Sequence, residues 1–316
     1  MGGSRHPSEP LVTVIIPTYG RSEALKEALS SVLDQTYENL ELVVVDDASP
    51  VPVEPLVEDV SADTTDRVTC LRHDENKGAN AARNTGIRAA NGDFLAFLDD
   101  DDRWLPESVE RRVMAFEGRP DVGVVYSQAL TVDEEGRVLH ETSGSVSGEA
   151  LRPLLRGAIV GSFSRVMVRA AVVDRAGLPD ERFPSWQDWE WYIRLAQHCL
   201  FEQVPDSLVV RQLSHEQISD SHETKRDVSY PLLLDKHRET SAEFGWLVER
   251  QFRGACARSL AASALRNGYW FDSIRYALKA VQAYPFSRSS LLYLGLALGG
   301  PRALEPARAL RRALAN

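Results

Sequence analysis

The sequence predicts an α/β fold, a mostly parallel central sheet with helices on both faces, followed by an all-helical C-terminal region. Three observations predict it. Continuous β-branched apolar runs alternate with stretches that carry one apolar helical face. Each of the first four strand runs ends in a loop rich in polar or acidic residues. From Tyr230 onward the pattern is helical only.

Leu11 to Ile16 (LVTVII) reads as a strand buried on both faces, ended by Pro17. Ser22 to Leu33 places Ala24, Leu25, Ala28, Leu29, Val32 and Leu33 on one helix face, with Ser22 as N-cap. Leu40 to Val45 is a second buried strand, ending at Asp46. Val68 to Leu71, Phe94 to Leu98 and Val122 to Tyr126 are expected as further strands, with helices at Gly78 to Ala90 and Pro106 to Glu117. Strand alternating with helix implies a parallel sheet covered on both sides. Beyond Val146 the pattern loosens, with strands near Val166 to Val168 and Phe201 to Val210 and a helix at Trp186 to Gln197. In Ala261 to Pro285, small residues at Ala264, Gly268, Ala277 and Ala280 resemble one tetratricopeptide unit, a helix pair in close approach. A helical appendage on the preceding domain is the favoured reading, since such repeats normally need at least three copies.

The formal charge is −10 over 316 residues, which argues against a general nucleic-acid binder. Cys70, Cys199 and Cys256 are scattered in apolar surroundings, fitting buried thiols in a reducing compartment and no disulfide framework. No run of 18 apolar residues occurs and Met1 to Pro10 lacks an apolar signal core, so a cytoplasmic protein, at most peripheral at the membrane face, is expected.

The chemistry lies in the strand-end loops. They are Pro17-Thr18-Tyr19-Gly20-Arg21, Asp46-Asp47-Ala48-Ser49, Asn76-Lys77-Gly78-Ala79-Asn80-Ala81-Ala82-Arg83-Asn84-Thr85-Gly86 and Asp99-Asp100-Asp101-Asp102. In open parallel sheets ligands bind beyond the carboxyl ends of the strands, so four such loops on one edge make a site. Four adjacent carboxylates repel one another unless cations compensate them. Hard divalent ions, Mg²⁺ or Mn²⁺, take oxygen ligands and are commonly shared between one or two carboxylates and substrate phosphates. An acidic helix cap is the plain alternative, but a cap needs one aspartate.

In this order and spacing, PTYGR, DDAS, NKGANAARNTG and FLDDDDRW resemble the family 2 glycosyltransferases of GT-A fold, over roughly residues 11 to 215. Their DxD motif corresponds here to Asp99-Asp100-Asp101. The resemblance implies donor-nucleotide contacts from Pro17, Thr18, Tyr19, Arg21, Asp46, Asp47, Asn76, Gly78, Arg83, Asp99 and Asp100. Within that set, Tyr19 would lie against the base, Asp47 at the base edge with Asp46 beside it, and Arg83 on the nucleotide. Asp99 would face the ribose or the metal, and Asp101 would be the main ligand of Mn²⁺ or Mg²⁺. Asp188 would be the catalytic base, and His215, after the last strand, a further residue closing over the diphosphate or metal. Two positions depart from the family pattern: Gly20 stands where Asn is usual, and Gln187 precedes Asp188 where Glu is frequent.

An inverting transfer needs a carboxylate on the acceptor side to take the hydroxyl proton and charge compensation on the opposite, diphosphate side. That requirement accounts for two separate acidic motifs. The plain reading of Asp188 and Glu190 is a pair of solvated helix residues. The three neighbouring tryptophans, Trp186, Trp189 and Trp191, fit a sugar-facing wall or an aromatic core equally well.

The expected organisation is an N-terminal tail at 1–10, a GT-A domain at 11–222 and a helical region at 223–316. The expected partners are a nucleotide-sugar donor, with UDP-sugar the best guess, and a glycan or lipid-linked acceptor. A protein partner on the C-terminal helices is a further expectation. Two rival readings make different demands on the sequence. A nucleotidyltransferase should carry a Gly-rich, Lys- or Arg-bearing phosphate loop after the first strand, which PTYGR does not provide. An inactive sugar-nucleotide-binding scaffold would not need Asp101 and Asp188.

Overall fold

The computed structural model describes residues 9–62, 67–133, 135–142, 146–212 and 221–300. The chain forms two units. The first comprises Met1–Leu151, Ile159–Arg182 and Gln187–Glu216; the second comprises Arg152–Ala158, Phe183–Trp186 and Gln217–Asn316. The units interleave along the chain, so no single cut separates them.

Among the described residues the first unit carries nine strands, β1 (Val12–Thr18), β2 (Leu40–Asp46), β3 (Val68–Arg72), β4 (Phe94–Phe97), β5 (Asp102–Trp104), β6 (Val122–Val132), β7 (Val138–Glu141), β8 (Val166–Arg169) and β9 (Leu200–Gln212). Their order is β3-β2-β1-β4-β8-β6-β9-β5, with β7 beside β6. Strands β3, β2, β1 and β4 are mutually parallel, as the β-branched runs imply. Beyond β4 the sheet is mixed: β8 is antiparallel to β4 and β6, β9 is parallel to β6, and β5 is antiparallel to β9. The strongly parallel part is therefore the half that ends in the acidic loops.

Helices α1 (Ser22–Leu33), α2 (Glu54–Val60), α3 (Ala79–Ala89), α4 (Ser108–Met114), α6 (Ala170–Ala176) and α7 (Gln187–Leu195) belong to this unit, whereas α5 (Leu151–Leu154) falls mostly in the second. Both faces of the parallel strands are covered. Val12, Val14 and Ile16 of β1 pack with Leu25, Ala28, Leu29 and Val32 of α1. On the other face Val43 and Val45 of β2 meet Ala82 of α3. Each fully buried Val, Leu or Ile of this kind contributes about 1.5–3 kcal/mol. Gly86 lets α3 lie against β1: a Cβ there would sit 2.4 Å from Ile15 Cγ2, which no real contact tolerates.

Two local expectations are corrected. Pro17 does not end β1; the strand runs through it to Thr18, where it pairs with Asp46. Odd-numbered residues of β1 turn their main-chain groups toward β4, as Ile15 O does in accepting from Leu98 N–H. By Pro17 strand β4 has ended, so the missing N–H breaks no ladder bond. Ser22 is the first residue of α1 rather than its N-cap; Arg21 holds that position, without a side-chain cap.

The second unit is helical: α8 (His222–Thr224), a π-turn at Lys225–Ser229, α9 (Tyr230–Lys236), α10 (Arg238–Glu243), α11 (Trp246–Arg266), α12 (Trp270–Ala283) and α13 (Arg288–Gly299). Small residues set the approach of α11 and α12. A Cβ on Gly254 would lie 3.3 Å from Ala280 O and 3.6 Å from Ala283 Cβ. Ala277 and Ala280 are fully buried. Phe183 and Trp186 belong to this unit by packing, Phe183 beneath the Lys236 ammonium and Trp186 against a cluster containing Leu260, Tyr276 and Ala277. No described helix is long and apolar enough to cross a membrane.

Cys70 and Cys199 are half-buried, Cys256 is buried, and all three are free thiols. Burial pushes the Cys70 thiol up to about 11 and Cys199 up to about 12, which disfavours the reactive thiolate.

Candidate active site

The four predicted loops do meet at the carboxyl ends of β1 to β4, tied together by side chains rather than by proximity alone. Thr18, the last residue of β1, donates its hydroxyl to Asp100 Oδ2 at 2.8 Å. Its carbonyl accepts from Asp47 N–H at 2.9 Å. Gly20 N–H donates to Ser49 Oγ at 2.9 Å, joining the first and second loops. Gly20 sits at φ +71°, a conformation open to Gly at no steric cost, which accounts for the residue at this position.

Asp46 is buried at the end of β2. Its carboxylate accepts from Ser49 N–H at 2.8 Å, from Val53 N–H at 3.3 Å and from the Arg72 guanidinium. Burial alone would raise its pKa, but the bonds from Ser49, Val53 and Arg72 outweigh that and hold it below the usual carboxylate range. Asp47 is equally committed. Oδ1 accepts from Lys77 N–H at 2.9 Å and lies 2.7 Å from His73 Nδ1, while Oδ2 accepts from Gly78 N–H at 2.8 Å. His73 is in turn 2.8 Å from Thr85 Oγ1 of α3. The pair thus shapes the second and third loops from inside. Ala48, between Asp47 and Ser49, is held at φ +62°, a conformation costing a non-glycine residue about 1–2 kcal/mol. Strain of this kind concentrates at functional sites.

Gly78, φ +90°, is the N-cap of α3. The helix sends three side chains across the site. Asn80 Nδ2 donates to Asp180 O at 2.8 Å. Asn84 Nδ2 donates to Pro179 O at 3.0 Å and to Glu181 Oε1 at 2.7 Å. Arg83, buried and stacked 4.0 Å over the Phe163 ring, donates through Nη2 to Asp99 Oδ1 at 2.6 Å and through Nη1 to Gln187 Oε1 at 2.9 Å. One guanidinium therefore joins the loop after β4 to the start of α7, the helix that carries Asp188.

The four aspartates do not converge. Asp102 belongs to β5 and pairs in register with Arg211 of β9, with Arg211 Nε 3.6 Å from Asp102 Oδ1. Asp100 is held by Thr18 and, at 3.1 Å, by Arg21. Asp101 accepts from Arg21 Nη1 at 2.8 Å. Arginines thus compensate much of the repulsion that a cation was expected to relieve. Burial pushes Asp100 up to about 6, against the opposing pull of Thr18 and Arg21, and Asp102 up to about 7, against that of Arg211. Asp101 is raised by burial and by the Asp99 charge. Among the described residues no three Asp, Glu, His or Cys side chains gather as a metal-ligand set. Asp99 and Asp101 each give one carboxylate oxygen to an arginine, remain about 30% exposed at 27% and 31%, and repel one another. Two partly open carboxylates with residual repulsion between them fit a divalent ion completed by substrate phosphates.

Asp188 lies in the first turn of α7, half-buried, its Oδ1 accepting from Trp189 N–H at 2.7 Å. Its pKa is raised by burial and by Asp99; Arg83 and Arg211 act in the opposite sense. Trp186, just before α7, is at φ +59°, so among the described residues both non-glycine residues of positive φ adjoin the acidic motifs. Glu190 is no solvated residue. It is fully buried, bonded to Arg194 Nε at 2.7 Å and Nη2 at 2.9 Å. Arg194 in turn caps the carbonyls of Ala176 and Leu178. Trp189 and Trp191 are core: Trp191 stacks on Phe163 at 5.6 Å and meets Phe97 edge-on.

Of the remaining predicted residues, Pro17 is buried in β1, Tyr19 and Asn76 are exposed, and His215 lies outside the described residues. Sequence reasoning missed Arg211, whose charge acts on Asp101, Asp102 and Asp188. It also missed His73 and Ser164, whose Oγ accepts from Asp99 N–H at 3.0 Å. No local pattern marks them; only the register of β5 with β9 places Arg211 beside the aspartates.

A mixed sheet whose parallel half ends in a DDAS loop, an arginine-bearing helix and an aspartate-rich loop, with a separate aspartate on a later helix, is the arrangement of a GT-A fold. Residues 13–172 match the family described as Glycosyl transferase family 2, and the chain belongs to that family. An uncharacterized glycosyltransferase of Rickettsia felis is 31% identical over 193 residues, covering 59% of this chain and 31% of that protein. One from Haemophilus influenzae is 27% identical over 192 residues, covering 60% of this chain and 64% of that protein. The chain thus spans less than two thirds of the length of either relative. Among solved structures, S. aureus TarS 1-349 shares the fold with TM-score 0.64 at 17% identity, over 87% of this chain and 81% of that one. TarS 1-349 in complex with UDP-GlcNAc matches with TM-score 0.58 at 17% identity, over 87% and 89%.

Proposed function

We propose that this protein transfers a sugar, with inversion, from a nucleotide-diphosphate donor, best a UDP-sugar, to a hydroxyl of a glycan or lipid-linked acceptor, working at the cytoplasmic face of a membrane. The observation that carries the reading is Arg83, which bonds Asp99 on the donor side and Gln187 beside Asp188 on the acceptor side. Both acidic motifs thereby belong to one site within the first unit. That a related fold binds UDP-GlcNAc supports the choice of donor.

In this reading the nucleotide lies over the ends of β1 to β4. Tyr19, exposed beyond β1, stacks on the base, and Asp46 and Asp47 act through the loop they hold, presenting Asn76, Lys77 and Gly78 to the base edge. Arg21 and Arg83 bear on the nucleotide's charged portion. Asp101, with Asp99, would hold Mn²⁺ or Mg²⁺. When bound, that ion neutralises charge growing on the leaving diphosphate. Asp188 accepts the acceptor hydroxyl's proton as the oxygen attacks the anomeric carbon from the opposite face. Burial of Asp188 and Asp99's charge raise its basicity, against the opposing effect of Trp189 N–H, Arg83 and Arg211. A thermal-shift screen of nucleotide sugars with Mn²⁺ tests the donor, because a ligand that binds only the folded state raises its melting point by mass action. One UDP-sugar is expected to stand out; no shift with any of them contradicts the reading.

Gln187 gives a pH test. As a neutral partner it leaves the Arg83 charge acting on Asp188. Gln187→Glu would pair with Arg83 and add a like charge beside Asp188, raising that carboxyl's pKa. Below its pKa Asp188 is protonated and cannot accept, so the acid limb of the rate profile is expected to move to higher pH by about one unit. An unmoved limb, measured between pH 5 and 8, contradicts the assignment.

A further inference from the structure

The second unit exposes large apolar side chains at two adjacent loop tips, and the site chemistry uses neither. The first tip is Phe244-Gly245-Trp246-Leu247, the turn from α10 into α11, with Gly245 at φ +91°. The second is Tyr284-Pro285-Phe286, between α12 and α13. Trp246 is 70% exposed and Phe286 83%, and Phe244 and Leu247 are also exposed.

The two tips lie at one end of the α11–α12 pair. Arg250, one turn after Trp246 and 5.9 Å over its ring, donates to Ala283 O and Gln282 O, both at 2.7 Å. Tyr284 meets Phe286 edge-on at 6.1 Å. The aromatic rings and the arginine thus gather at one end of the pair, apart from other exposed apolar residues of this unit such as Phe271 and Leu292, and contiguous apolar patches mark interaction surfaces.

Charge selects the partner. The chain as a whole carries −10, yet from Ser241 to Gly300 seven arginines and lysines stand against three carboxylates, Glu243, Glu249 and Asp272. Arg250, Arg253 and Arg288, near the tips in sequence, are all exposed. A local excess of positive charge on a negative chain suits a negatively charged surface. Aromatic rings at protruding tips, flanked by arginines, suit the headgroup layer of a bilayer, where amphipathic rings settle and basic side chains reach anionic lipid. A groove for a peptide would instead sink its apolar residues.

We propose that these two tips dock the protein on an anionic lipid surface, inserting Trp246 and Phe286 at headgroup depth with arginines on the lipid charge. The inference rests on the second unit alone and stands whether or not the donor site is as described.

Co-sedimentation of the full chain with vesicles tests it, using phosphatidylglycerol mixed into phosphatidylcholine, and phosphatidylcholine alone. Binding is expected only to the anionic vesicles, weakening as salt rises. Trp246→Ser with Phe286→Ser is expected to weaken it by about tenfold or more, at unchanged melting temperature, because both rings are solvent-exposed in the free protein. Arg253→Gln with Arg288→Gln should lessen the preference for anionic over neutral lipid. Absent binding to anionic vesicles, or equal binding by the serine variant, overturns the proposal. So does a wild-type dimer that ignores vesicles and dissociates on the serine substitutions, since the patch would then be an interface between copies.

Discussion

Replacing Asp188 with asparagine is expected to slow sugar transfer by about 10²- to 10⁴-fold, the range typical of losing a general base. Asparagine keeps the shape and can still accept from Trp189 N–H through its carbonyl oxygen, but it cannot take a proton at neutral pH. Donor affinity is expected to stay near wild type, because the groups proposed for the nucleotide come from β1 to β4 and α3. The measurement is steady-state turnover together with donor binding on the same variant. Near-normal turnover removes Asp188 from the mechanism. Glu190→Gln does not serve as a silent control, although it lies two residues away. Glu190 is buried against Arg194, which holds the carbonyls of Ala176 and Leu178 at the end of α6. Breaking that pair leaves an uncompensated guanidinium and unsettles the fold around α7.

The second large effect concerns Asp101. Asp101→Ala is expected to abolish metal-dependent UDP binding and transfer, and chelator should reproduce the loss in the unaltered protein. The substitution also frees one bond of Arg21, which still reaches Asp100 at 3.1 Å, so the first loop retains its anchor. Titration of UDP by calorimetry, with Mn²⁺ and with chelator, separates loss of the ion from loss of the fold. Unchanged affinity in excess chelator contradicts the metal assignment.

The parallel half of the fold was readable because its strands are buried on both faces and so appear as unbroken apolar runs. The site followed from the strand-end rule, which needs only the order of elements. Other features had no local signature. Strand β5 is three residues long, begins with an aspartate and exists through its pairing with β9. Arg211 is 109 residues from Asp102 in sequence, and only that register brings them together. The counter-charges on the aspartate run come from Arg21, Arg83 and Arg211, three separate parts of the chain. Glu190 looked like a solvated helix residue because its partner, Arg194, is one turn further on, and the packing that buries both is tertiary. The second unit draws in 152–158 and 183–186, short segments that a linear division of the chain assigns elsewhere.

The central claim is that one site binds a nucleotide sugar and turns it over. The most direct measurement is release of nucleoside diphosphate from a panel of nucleotide sugars by the full chain with Mn²⁺, beside the Asp188→Asn variant. The account predicts that at least one UDP-sugar releases UDP, that chelator stops the release, and that the variant binds the same donor but releases far less. Binding of UDP-sugars with no release by the unaltered protein, acceptor supplied or not, would contradict it and leave a sugar-nucleotide-binding protein without transferase activity.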